Sequence, residues 1–320
     1  MFSLPDYHYI NQMSELDPVR HIQKTRNLSA GFSLSNIAKT EPYIDNVLQL
    51  FMTRLDQLST NGTPVEFQDW FSFFAFDVLG EVTFSKSFGF VHSGIDVRSA
   101  IANTGLLVYY IALMGNYVWF HYLTLGNPLF SRLGLQPNSH IFDTCLLAVD
   151  DRKKNPEVRH DMMQRWIDIR AVHPERLSEK DIFGAAVANI GAGAETISST
   201  AQAVIYYLLK NPEYLRRVLE EIDDAQKAGQ LSRVVQYSEA ARLPFLQACV
   251  RSSFAFLEAQ DEVWKGPDIN HLQLKEAYRF HPGVCHNLPR VVPKGGITIA
   301  RRYFPAGVRT RTNYTHNPPS

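Results

Sequence analysis

The chemistry in this chain gathers in one short run, Gly191-Ala192-Gly193-Ala194-Glu195-Thr196, inside a long stretch with no other charge. A carboxylate in apolar surroundings must find partners or take up a proton, so Glu195 is a candidate proton-handling group. Thr196 can bond back to a carbonyl one turn earlier and loosen the helix there. Each glycine costs a helix about 1 kcal/mol against alanine. Gly193 therefore implies a close approach. Two readings stand: a flat ligand comes near the backbone, or a neighbouring helix crosses closely while Glu195 sits in a structural ion pair.

Other reactive groups are sparse. Cys145, Cys249 and Cys285 lie far apart, with neither a CxxC pair nor a His/Cys metal spacing, so no metal site is expected and a reducing compartment fits. Lysine plus arginine and aspartate plus glutamate number 32 each, which argues against a nucleic-acid surface. With 320 residues, 45% of them hydrophobic, a sizeable core is possible and wholesale disorder is not expected. The N-terminus has neither the basic start nor the apolar run of a signal peptide, and it reads like the middle of a domain. The sequons at Asn27, Asn61 and Asn313 are then expected to go unused.

The elements that must position the run are mostly helical. Ser178, with Asp181 three places on, resembles a capping box, and Asn211-Pro212 ends the element. Between them Ile182, Ala186, Ile190, Ile197, Val204 and Leu208 recur at helical spacing. A helix this apolar is expected to be buried on nearly every side. Upstream, a basic helix runs from Asp17 to Ala30 and is closed by Gly31. An amphipathic helix opens at Pro42, with Ile44, Val47, Leu48, Phe51, Leu55 and Leu58 inward, and Asn61-Gly62-Thr63-Pro64 forms a turn. An aromatic-rich core helix follows from Val65. Leu106 and Leu125 bound a run of membrane-span length, but Asn116, His121, four tyrosines and Asn127-Pro128 argue instead for a hairpin. Such a hairpin would line an apolar pocket or touch a membrane surface. Residues 150–160 read as a solvated linker, and a helix from Leu243 is broken off after Val250. Short strands and turns follow Asn287.

Three features align in order: Ala192 to Thr196, then Glu276-Ala-Tyr-Arg279 with Pro282, then Leu288-Pro289-Arg290. Together they resemble the cytochrome P-450 family of haem-thiolate (heme-thiolate) monooxygenases, most of all its fungal microsomal members. The resemblance implies a mainly α fold, an incomplete cytochrome P-450 domain over residues 1–320, with a long central helix and a few short strands near the C-terminus. It implies that Glu195 and Thr196 steer protons on the oxygen side of the haem, with Gly193 facing the ring. Glu276 and Arg279 match the structural ion pair of the core, and Arg290 the strand arginine on a haem propionate. The basic helix matches the one beneath the propionates. There Thr25 occupies the usual Arg or His position, with Lys24 or Arg26 as the substitute. Partners implied are an electron-supplying reductase and an apolar small molecule, at the endoplasmic reticulum membrane.

Departures from the pattern set the functional expectation. No Phe-x-x-Gly-x-Arg-x-Cys-x-Gly loop is present to supply the iron thiolate, nor the segment that completes the ion-pair network, nor a membrane anchor. Residues 251–274 read as a foreign insertion, with a genuine surface loop as the alternative: joining Val250 to Lys275 restores one amphipathic helix. Residues 311–320 read as an aberrant tail. The expectation is a degenerate, catalytically inactive monooxygenase that does not hold haem through sulfur. Its family substrate would be an apolar fungal secondary metabolite, an alkaloid or terpenoid by analogy. Without an anchor the chain would be cytoplasmic or peripheral. The alternatives are a non-catalytic helical protein binding an apolar ligand or membrane surface, and a product that does not fold.

Overall fold

A computed structural model describes residues 11–12, 15, 17–114, 117–124, 127, 129, 132–133, 139–154, 159–254, 290–292, 294–299 and 302–310. Glu276, Arg279, Cys285, the tail 311–320 and most of the insertion, residues 255–274, lie outside them.

Helix α1 (Pro18–Leu28) starts where Asp17 accepts hydrogen bonds from the amides of Val19 and Arg20, with proline in its first turn. Helix α2 (Glu41–Thr60) buries Val47 and Phe51 on the face that the spacing predicts. Helix α3 (Phe67–Phe84) is the aromatic element, and it is core: Phe73, Phe76, Leu79, Val82 and Phe84 are buried. Its rings interlock with Phe51 and Phe90 at centroid distances of 5.0 Å for Phe51–Phe74 and for Phe76–Phe90. Helices α4 (Ala100–Met114) and α5 (Val118–Leu123) form the apolar hairpin. Tyr110 ties it together, its hydroxyl 3.0 Å from His121 Nδ1 and 2.8 Å from Thr124 Oγ1. Among the described residues no helix is long and apolar enough to cross a membrane.

Helices α6 (Ser139–Lys154) and α7 (Met162–Val172) lead to the central helix α8 (Glu179–Lys210), followed by α9 (Pro212–Lys227) and α10 (Pro244–Phe254). The capping box is present, with the Ser178 hydroxyl and the Asp181 carboxylate each bonding the other's amide. The strands are four short ones in two pairs. The antiparallel hairpin β2 (Ile297–Ile299)–β3 (Arg302–Phe304) lies between β1 (Arg290–Val291) and β4 (Arg309–Thr310), which pair with each other.

Three expectations change. First, α8 is not enclosed along its whole length. Ile182 to Val187, Ile190, Ala194 and Ser198 are buried, but Tyr206 and Leu209 are 50% and 61% exposed. At 1.5 Å per residue α8 is about 48 Å long and its main partner α3 only about 27 Å, so α3 cannot cover both halves. Second, residues 150–160 are not a plain solvated linker. Arg152 is buried against Asp161, the N-cap of α7, and bonds the Phe84 carbonyl at 3.3 Å. Arg159 meets Glu81 at 2.8 Å and lies over the Tyr43 ring. Pairing and hydrogen bonding offset the penalty that drives a charge to the surface, and composition does not reveal pairing. Third, α10 does not stop at Val250 but continues through Arg251 to Phe254.

Candidate functional site

The site is built on the antiparallel crossing of α3 and α8. At one end Asn189 Nδ2 donates to Thr83 Oγ1 at 2.7 Å. At the other the buried hydroxyls of Ser72 and Ser198 are 3.0 Å apart, and Gln202 donates to Ser198. Between these rungs stand Leu79 and Gly193. A Cβ on Gly193 would lie 2.9 Å and 3.2 Å from the Leu79 methyls, so the missing side chain makes room for α3. Ala194 is fully buried beside it.

The opposite side of the same turns is open. Ala192 and Thr196, one turn apart, are both exposed. Thr196 Oγ1 donates back to the Ala192 carbonyl at 2.9 Å and lies 3.1 Å from that of Gly193. Its proton is thus held by the backbone, and its lone pairs remain available to a group on the open face. The helix stays continuous there. Glu195 is half-buried, with no hydrogen bond or ion pair among the described residues, and burial pushes its carboxyl above the usual carboxylate range. The structural ion pair weighed for Glu195 is therefore not formed with any described residue.

Elsewhere the candidates are dispersed. Lys24 is engaged, 3.2 Å from Glu15 and 3.4 Å from Asp181, which ties α1 to the start of α8. Arg26 is exposed and borders a polar cleft of about 460 Å³ with Arg20, Asn27 and Arg176. That cleft does not include Glu195 or Thr196. Arg290 is on β1, opposite Thr310. Two polar groups of the α3 helix escaped sequence reading. Asp77, buried within the aromatic run, accepts from the amides of Gly89, Phe90 and Val91. Glu81 accepts from Ser87 and Arg159. Their i,i+4 spacing puts both carboxylates on one side of the helix, toward the 85–91 segment.

The family model for cytochrome P-450 matches residues 4–254. The chain belongs to the cytochrome P-450 family. Its relatives include the cytochrome P-450 monooxygenase gsfF of Penicillium aethiopicum, 28% identical over 95% of this chain and 58% of that protein. The monooxygenase cicH of Emericella nidulans is 31% identical over 92% of this chain and 55% of its own length. The chain thus spans little more than half the length of these curated relatives. A cytochrome P-450 crystal structure (CYP102L1) shares the fold, with TM-score 0.68 over 94% of this chain and 59% of that one, at 15% identity.

The family implies haem, and the open face of α8 that could border such a group carries small residues. Ala192 and Thr196 give the cytochrome P-450 chain a small-residue face with an available hydroxyl. The sulfur side is not met by Cys145 or Cys249. Cys145 is fully buried in α6 with its thiol pushed far up by burial. Cys249 is buried in α10, its thiol raised by burial and by Glu221. Neither is a ready thiolate. Among the described residues no cluster of His, Cys, Asp and Glu could hold a metal ion.

Proposed function

We propose that this chain carries the oxygen-side wall of a cytochrome P-450 monooxygenase pocket and is itself catalytically inactive. The observation that carries the reading is the two-sided turn of α8: Gly193 and Ala194 pack inward while Ala192 and Thr196 stay open. Haem, when bound, supplies the iron at which dioxygen is activated. Thr196 would hold a water or proton against its lone pairs. Glu195, its carboxyl raised, would take up and release protons from solvent. Gly193 sets the height of this face by letting α8 sit on α3, and Arg26 and Arg290 would address the propionates. Glu276 and Arg279 would lock the core.

The substrate class is an apolar fungal secondary metabolite, supported by the fungal monooxygenases among its relatives, and electrons would come from a reductase. The hairpin, with Tyr109 and Trp119 74% and 64% exposed, favours peripheral membrane contact at the endoplasmic reticulum and keeps open a second reading as a non-catalytic binder of apolar ligands. Inactivity is supported by Cys145 and Cys249, both free and buried with their thiols raised by burial. The chain is one incomplete domain interrupted at residues 251–274. Titrating the purified chain with haem and recording the reduced, CO-treated spectrum tests the proposal. A spectrum without the thiolate-type Soret shift is expected; the shift, lost again in Cys285→Ala, would overturn inactivity by this route.

A further inference from the structure

We propose that Asn61–Gly62 is a site of spontaneous deamidation, at which the folded chain converts to aspartyl and isoaspartyl forms. It is the sequence's single Asn–Gly pair, and it closes α2 in a turn whose residues 59–64 are all exposed. The Asn61 carboxamide makes no hydrogen bond among the described residues, so nothing restrains its carbonyl carbon. Gly62, at φ +65°, has no atom within 4 Å of the position a Cβ would take, so the turn is open on that side.

One contact opposes the reaction, the bond from the Gly62 amide to the Ser59 carbonyl at 3.0 Å. It is a single solvent-exposed bond at a helix end, where local opening takes little free energy. Once it opens, hydroxide removes the Gly62 amide proton and the nitrogen attacks the Asn61 side-chain carbonyl. The new C–N bond closes a five-membered imide, and the side-chain nitrogen leaves as ammonia. Water then opens either imide carbonyl. The net change is one water consumed and one ammonia released, with no oxidation or reduction.

The products are unwelcome at this place. Aspartate puts a negative charge at the C-terminal end of α2, against the helix dipole. Isoaspartate adds a methylene to the backbone inside the turn closed by the Thr63 amide on the Leu58 carbonyl at 2.9 Å. The converted chain is therefore expected to melt lower than the fresh one.

The test holds the full folded chain in mildly alkaline and mildly acidic buffer and follows the tryptic peptide 55–86 by mass spectrometry. Expected are a gain of one mass unit placed on residue 61, faster in alkali, and two chromatographic product forms. In heavy-oxygen water the new carboxylate should carry the label. Asn61→Gln keeps an amide but must close a larger ring, so it should fold alike and stay unchanged. The proposal is overturned if Asn61 converts no faster than the chain's other asparagines, or equally fast in acid and alkali. It is also overturned if the Asn61→Gln peptide gains mass at the parent's rate.

Discussion

Gly191 and Gly193 look alike in sequence, yet their surroundings give them opposite expected responses to alanine. A Cβ at Gly191 meets nothing within 4 Å, so Gly191→Ala should stabilise the chain by about 0.5–1 kcal/mol through backbone entropy. At Gly193 the same gain competes with overpacking against buried Leu79, which costs about 1–3 kcal/mol. Gly193→Ala should be a net loss of about 1 kcal/mol, and urea unfolding of the two variants checks the pair. Glu195 makes a pH prediction. Burial lifts its folded carboxyl above 4.5, so the folded chain binds the proton more tightly than the unfolded one. Stability from this group is full below 4.5 and is lost as pH rises through the raised value. Glu195→Gln should abolish that slope and be more stable than the parent at neutral pH. Glu239 carries the opposite sign: bonds from Ser232 lower its carboxyl, so its contribution exists above 4.5 and is lost as pH falls through the depressed value. Thermal melts of the two Gln variants across acid and neutral pH would separate them.

Among the elements, the junction of α3, α6 and α7 depends on one buried ion pair. Asp161 caps α7, accepts from Ser85 at 2.6 Å and pairs with Arg152, which also reaches the Phe84 carbonyl. Removing one partner strands the other charge in the core, at a cost of about 3–5 kcal/mol. Arg152→Ala should lose that much in denaturant unfolding. Arg170→Ala, which breaks an exposed pair with Glu179, should lose at most about 1 kcal/mol. Equal losses would mean that the Arg152 pair is solvated in solution.

At the scale of the whole molecule, the proposed insertion and the hairpin decide how the chain behaves in solution. If residues 251–274 are foreign, deleting them removes the last turn of α10 and joins Val250 to Lys275 in one continued helix. The deleted chain should then aggregate less and show more helix by circular dichroism. A deletion variant less soluble than the parent would make those residues part of the fold. The hairpin should draw the chain to vesicles, read as a blue shift of Trp119 emission that Trp119→Ala removes. Its apolar and aromatic residues lie between Arg98 and Arg132 with no Lys, Arg, Asp or Glu between them.

The sequence by itself determined the helical elements, the capping box of α8, the aromatic core of α3, the short strands and the family, because period, caps and motif spacing are local properties of the chain. It also singled out Glu195 and Thr196 and foresaw the back-bond of Thr196, whose partner is one turn away. Only the tertiary structure decided what Gly193 admits, which half of α8 is enclosed, and that Arg152 leaves a charged segment for the core. Those outcomes depend on Leu79, on the length of α3 and on Asp161. Such partners come from other elements, and no periodicity within α8 or residues 150–160 encodes them.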